Sequence, residues 1–213
     1  MKIEGLKINF LGDSITQGCG VYEPENMFVN RIAKMGAICR NYGLSGTRIA
    51  RQHKPSEHPQ LDMYFESRLE GMENDADLVL VFGGTNDMGH GDAEIGTMSD
   101  RTPDTFYGAM HSLCISLINK YPGKVIAFMT PLHCWYEDND RACGKAGHLI
   151  DYVNAEREVA QYYTLPVLDL YACSGLQCAV PVIKEKYVPD GLHPNDDGHA
   201  ILAARIAAFI KSL

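Results

Sequence analysis

Five short apolar runs, separated by stretches long enough for helices, constrain this chain more than any other feature. Lys7–Leu11 (KINFL), Ala37–Tyr42, Asp77–Phe82 (DLVLVF), Val125–Met129 and Val167–Leu170 have the length and residue types of strands buried in a sheet. Between them, Phe28–Met35, Leu61–Met72, Thr105–Asn119 and Ala146–Tyr163 read as helices. In Thr105–Asn119, the residues Phe106, Met110, Leu113, Cys114, Leu117 and Ile118 recur at three-and-four spacing. Asp196–Leu213 closes the chain as a helix that Asn195 is placed to cap. Strands that alternate with helices are joined by right-handed crossovers and lie parallel, covered on both faces. The expected fold is therefore α/β: a three-layer α/β/α sandwich around a five-stranded parallel sheet, flavodoxin-like. No repeat, low-complexity tract or linker-like shift in composition interrupts the pattern, so residues 1–213 read as a single domain.

The charge balance narrows the partners. A net charge of -8 repels phosphate backbones and anionic lipid heads, so neither nucleic acid nor a membrane surface is expected. No run approaches the ~20 apolar residues of a membrane span. The N-terminal MKIEGLKINFLGDS lacks the form of a signal peptide, which points to the cytoplasm. The seven cysteines, an odd number, fit reduced thiols better than a disulfide framework. His133, Cys134, Cys143, His148, Cys173 and Cys178 contain no CxxC pair, so neither a metal nor another cofactor is expected.

In a parallel sheet, ligands bind beyond the carboxyl ends of the strands. The loops there are Gly12-Asp13-Ser14, Gly43-Leu44-Ser45-Gly46, Gly83-Gly84-Thr85-Asn86-Asp87 and Asp190-Gly191-Leu192-His193. A serine hydroxyl is a poor nucleophile until a base removes its proton. An imidazole ordinarily titrates near neutrality and suits that task, which falls to His193. Asp190, three residues earlier, can reach the other ring nitrogen and stabilise the imidazolium as it forms. Attack on an ester carbonyl also needs donors for the oxyanion, each worth roughly 3–4 kcal/mol of barrier. The N–H groups of Ser14 and Gly46 and the amide of Asn86 are the candidates.

These four segments resemble the conserved blocks of the SGNH hydrolases, also called the GDSL lipase/esterase family. Gly12-Asp13-Ser14 matches the nucleophile block, with Ile15 where the family has Leu. Asn41–Gly46 (NYGLSG) resembles the block with the oxyanion glycine, which implies that role for Gly46. Gly84-Thr85-Asn86-Asp87 matches GxND, which implies the oxyanion asparagine at Asn86. Asp190-Gly191-Leu192-His193 matches DxxH, with the acid and the base. The four blocks stand in the family's order across residues 12 to 193. The resemblance implies a five-stranded α/β/α sandwich and carboxylic ester hydrolysis by Ser14, Asp190 and His193, with Asp13 and Asp87 supporting their turns.

Two other readings stay open at this point. One is a metal-dependent phosphoesterase using Asp13, Asp87, Asp190 and His193. The other is a non-catalytic module holding flavin or phosphate on Ser14–Gly20 (SITQGCG). Three loops should shape the substrate site: Met88–Pro103, polar and suited to hinging; Pro131–Gly147, with Trp135 and Tyr136; and Tyr171–Pro189. A Trp–Tyr wall with acids nearby suits stacking on a sugar ring. The expected substrate is a small-molecule ester with a short acyl group, acetyl above all, on a small polar or carbohydrate alcohol. His53, His58, His90, His111, His133, His148 and His199 read as surface or structural residues.

Overall fold

The computed structural model describes residues 1–138 and 147–213. Its strands are β1 (Lys7–Gly12), β2 (Ile38–Gly43), β3 (Leu78–Phe82), β4 (Val125–Met129) and β5 (Val167–Leu168). Its helices are α1 (Ser14–Gln17), α2 (Phe28–Ala33), α3 (Thr85–His90), α4 (Phe106–Lys120), α5 (Leu149–Tyr162), α6 (Leu170–Cys173), α7 (Pro181–Tyr187) and α8 (Asp196–Ser212). The sheet is wholly parallel in the order β2-β1-β3-β4-β5. That is the α/β sandwich expected from the alternating runs.

Side chains alternate across the sheet and divide the core in two. Leu11, Val79, Val81, Ile126 and Phe128 point to one face, where Phe106, Met110 and Leu113 of α4 and Tyr152, Val153 and Val159 of α5 cover them. Ile8, Phe10, Leu78, Leu80, Phe82 and Met129 point to the other, under Phe28, Val29 and Ile32 of α2 and Leu202, Ile206 and Ile210 of α8. The central strand β3 is buried at every position, while the edge strand β2 is not, which explains why DLVLVF is the most apolar of the five.

Helix ends follow the expected chemistry. Asn195 caps α8 by accepting the Gly198 N–H, and Thr105 caps α4 by accepting that of Gly108. Leu61–Met72 departs from expectation: it is two 3-10 turns, Pro59–Asp62 and Glu66–Gly71, rather than one helix. Between them Tyr64 pairs in parallel with Arg48, and the Phe65 N–H bonds to Arg48 O, so tertiary pairing overrides the helical spacing. Two further segments expected as loops are partly helical: Met88 to His90 belong to α3, and Pro181–Tyr187 forms α7. Cys143 and Ala146 lie outside the described residues. Among the described residues no helix is long and apolar enough to cross a membrane.

One contact fixes the end of β2 against the last residues of α1. A Cβ added at Gly43 would lie 2.6 Å from the carbonyl carbon of Thr16 and 2.7 Å from the Gln17 Cα, backbone that cannot yield locally. Gly43→Ala is therefore expected to lower stability by about 1–3 kcal/mol, read as a shifted denaturant midpoint. An unchanged midpoint would show that this junction is looser than it looks.

Candidate active site

Beyond the carboxyl ends of the strands, the chain brings together residues from its two ends. Ser14 opens α1 and is 7% exposed. Its Oγ lies 3.0 Å from His193 Nε2, and His193 Nδ1 lies 2.7 Å from Asp190 Oδ2. The other carboxylate oxygen of Asp190 accepts the N–H groups of Leu192 and His193. Burial would raise the Asp190 carboxyl, but these backbone donors and the imidazole outweigh it and hold it below its ordinary value. An ionised Asp190 only accepts, so Nδ1 carries the ring proton and Nε2 is left to accept from the Ser14 hydroxyl.

The three candidate donors lie on the segments that follow β1, β2 and β3. Asn86, in the first turn of α3, gives one amide hydrogen to Thr47 O at 2.9 Å, which orients the group and leaves the second hydrogen unspent. Gly46 sits at φ +75 with the Leu61 side chain packed against it, a backbone conformation that side chains other than glycine's rarely adopt. The N–H groups of Ser14 and Gly46 have no acceptor among the described residues. A hydroxyl beside an imidazole, with three candidate donors on the neighbouring loops, suits acyl transfer chemistry.

The family model for GDSL-like lipases and acylhydrolases matches residues 10–201. The chain belongs to that family. It is accordingly a hydrolase that acts on esters. Among solved structures, a Lactobacillus plantarum protein is 28% identical with a TM-score of 0.82, covering 98% of both chains. A possible lipase from Chitinophaga pinensis is 21% identical with a TM-score of 0.72, over 97% of this chain and 98% of that one. A two-domain esterase active on acetylated mannans is 21% identical with a TM-score of 0.62, over 98% of this chain and 50% of the other. No curated protein matches.

Around the candidate site of this GDSL-like hydrolase lie several buried polar side chains. Asp13 caps α1 by accepting the Ile15 N–H, and burial pushes its carboxyl up to about 6. Asp87 accepts the N–H groups of Ile49 at 3.0 Å and Ala50 at 2.7 Å, tying α3 to the loop that bears Gly46, and burial pushes it up to about 7. Both acids thus do local structural work. Among the described residues, no three His, Cys, Asp or Glu side chains converge as metal ligands. The Ser14–Gly20 loop folds on itself rather than around an anion: Gly18 and Cys19 give their N–H groups to Ser14 O, and Gly20 abuts Pro194 O and the His193 Cβ.

Trp135 is 62% exposed, and its N–H bonds to Gly191 O, one residue from Asp190. Its ring meets that of Tyr136 edge-on, and Tyr136 reaches Gly89 of α3. A cleft of about 400 Å³ opens at Trp135, lined also by Glu137, Asp138, Ala179, Pro181 and Lys184.

Sequence reasoning missed Arg48, Arg68 and Glu156. Arg48, 3% exposed, meets His90 Nδ1 at 2.8 Å and donates to Leu61 O, so it clamps the segment over Gly46 to the end of α3. Burial and the Arg48 charge lower the His90 imidazole, leaving its Nδ1 free to accept. Arg68 donates to Gly12 O and Tyr42 O, spanning β1 and β2 below Asp13. No periodicity marks either arginine. His199 is structural, as expected, but wholly buried rather than superficial: its Nδ1 accepts the Phe28 N–H at 3.0 Å, and burial pushes it down to about 4.

Asp87 makes stability depend on pH. Its folded value, about 7, exceeds the ordinary 3.8, so the native state holds the extra proton. The contribution is full below about pH 4 and is lost as pH rises through about 7, on the order of a few kcal/mol. Asp87→Asn should therefore destabilise the fold more at pH 5 than at pH 8, read from denaturant unfolding at each pH. A penalty that stays constant or grows with pH would contradict the buried-acid assignment.

Proposed function

We propose that residues 1–213 form a single serine esterase domain that cleaves a short acyl group, most simply acetyl, from a small polar or carbohydrate alcohol. The observation that carries this reading is the unbroken hydrogen-bond chain Ser14 Oγ–His193 Nε2 and His193 Nδ1–Asp190 Oδ2, at 3.0 and 2.7 Å. Ser14 Oγ attacks the ester carbonyl as its proton passes to His193 Nε2. Asp190 stabilises the imidazolium, and the N–H groups of Ser14 and Gly46 with the Asn86 amide take the oxyanion. His193 then gives its proton to the departing alcohol, which leaves an acyl group on Ser14. Water, deprotonated by the same imidazole, attacks that acyl-enzyme and releases the acid. All three oxyanion donors are uncharged, so none forms an ion pair that would retain a carboxylate product.

The alcohol portion is assigned to the Trp135 side. An indole 62% exposed beside a cleft with Glu137, Asp138 and Lys184 offers a stacking face and polar partners, the combination a sugar ring needs. The two-domain relative active on acetylated mannans, whose structure includes mannopentaose, supports a carbohydrate ester as the class to try first. In that substrate the acyl group is small and the alcohol polar, in keeping with the absence of a long apolar lid from the sequence.

Two measurements test the reading. Ser14→Ala should lower kcat on p-nitrophenyl acetate by roughly 10³-fold or more without unfolding the protein. Retained turnover in that variant removes the nucleophile. A chain-length series of p-nitrophenyl esters should show kcat/KM falling from acetate to octanoate. A preference for octanoate refutes the short-acyl assignment but leaves the triad standing.

A further inference from the structure

The proposed mechanism leaves one buried ionisable side chain at the site without a task. Glu156 lies on α5, is 1% exposed, and neither carboxyl oxygen has a hydrogen-bond partner among the described residues. The neighbouring Arg157 does not serve it, for that guanidinium bonds to Asp169 and Asn154. A carboxylate so enclosed, without cation or donor, is costly, and an uncharged carboxylic acid is the tolerable form. Burial first, and then the charges of Asp87 and Asp13, push Glu156 well above the ordinary carboxyl range.

Its position gives it a consequence. Glu156 Oε1 packs directly against Gly84 on the side where a side chain would lie, and the Pro131 ring lines the same space, 3.1 Å from where a Cβ would stand. Gly84 adopts φ 102, ψ -26 and caps α3, so its orientation sets the direction in which the first turn of α3 presents Asn86. The carboxyl and the proline ring therefore fill the place of the side chain that Gly84 lacks, and the turn rests against them.

We propose that Glu156, as an uncharged carboxyl wedged under Gly84, is a positioning residue for the oxyanion amide of Asn86, and that its ionisation sets an alkaline limit on turnover. The groups that face it make the direction of the effect clear. Asp87 on α3, Asp13 at the end of β1, Asp169 at the end of β5 and Cys114 on α4 are all neutral or anionic, and among the described residues Arg157 on its own helix is the cation set against them. A new negative charge on Glu156 is repelled by Asp87 and Asp13 and draws donors or water toward the Gly84 turn. The amide of Asn86 moves with it.

The kinetic part rests on the esterase reading, so the test has an arm that does not need activity. In the full-length protein, the 15N side-chain amide signals of Asn86, assigned by their absence in Asn86→Asp, are followed only above the range in which Asp87 titrates, about 7, into alkaline pH. In the wild type they should shift in step with a fall in kcat on p-nitrophenyl acetate. In Glu156→Gln, an uncharged isostere, both changes should vanish, with kcat at neutral pH within about twofold of wild type. Glu156→Ala, which removes the wedge, should lower kcat about tenfold with little change in KM, because the lost contact acts on the transition state. The proposal is overturned if Glu156→Gln keeps the alkaline fall and the amide shift, or if folded Glu156→Ala turns over like wild type. Should the alanine variant fail to fold, the glutamine comparison decides alone. Should the wild type hydrolyse no ester, the esterase reading falls while the amide titration still decides whether Glu156 governs Asn86.

Discussion

The pairing of β1 with β3 is the constraint on which the site depends. These strands lie side by side at the centre of the sheet, with Gly12 opposite Phe82, although β2 intervenes in the sequence. The chain leaves β1 toward one face and β3 toward the other, and a crevice forms where the two departures diverge. Ser14 is two residues beyond the end of β1, and Asn86 four beyond the end of β3. Both therefore open into one crevice without a loop long enough to need ordering of its own. A one-residue slip in this register would exchange the two core faces along with the site, so the apolar packing that fixes the sheet also fixes the chemistry.

What lies directly under that crevice is polar, and this is unusual for a region so well enclosed. Asp13, Arg48, Asp87 and Glu156 are each 3% exposed or less. Three of the four are satisfied by backbone: Asp13 by the Ile15 N–H, Asp87 by Ile49 and Ala50, Arg48 by Leu61 O. The Asp13 bond is local to its turn, but those of Asp87 and Arg48 join a loop of the candidate site to another segment, which apolar contacts could do only with less directional control. Burial of these acids costs stability as the pH rises, and the gain is a fixed set of donors around Ser14. Sites of this kind commonly trade local stability for preorganisation.

Much of this was legible in the sequence, for identifiable reasons. The strands stood out because a parallel sheet covered on both faces demands continuous apolar runs, and DLVLVF at β3 is the clearest of them. Ser14, Gly46 and Asn86 stood out because glycine and polar residues follow the ends of β1, β2 and β3, whereas Asp190 and His193, separated from β5 by α6 and α7, stood out through the DxxH block. The stretch Leu61–Met72 misled, since its apolar spacing is helical while Tyr64 is drawn into pairing with Arg48, a contact no local pattern encodes. Glu156 was invisible for a similar reason. An acid within a helical stretch reads as a solvated face, and only the packing of α5 on α3 and Gly84 buries it. His199 read as peripheral because α8 seemed to lead away from the active edge, whereas its first turn lies against α2.

That last contact bears on how the site closes at all. His193 reaches Ser14 across nearly the whole chain, and only two residues, Pro194 and Asn195, separate it from the start of α8. The first turn of α8 is anchored from several directions. Asp196 accepts the Tyr22 N–H and an Asn26 amide hydrogen, Arg31 donates to Asp196 O, and His199 accepts the Phe28 N–H while its ring stacks on Phe28. Burial keeps His199 neutral, so its Nδ1 remains an acceptor at the start of α2, where no side chain of the preceding residues caps the helix. The segment from Tyr22 to Phe28 is itself the continuation of the chain from Ser14. The two halves of the proposed triad are thus joined twice, once by the hydrogen bond between them and once by the docking of α8 on α2. The second junction holds His193 at its distance from Ser14 whether or not, in the proposed mechanism, the serine proton has passed to the imidazole.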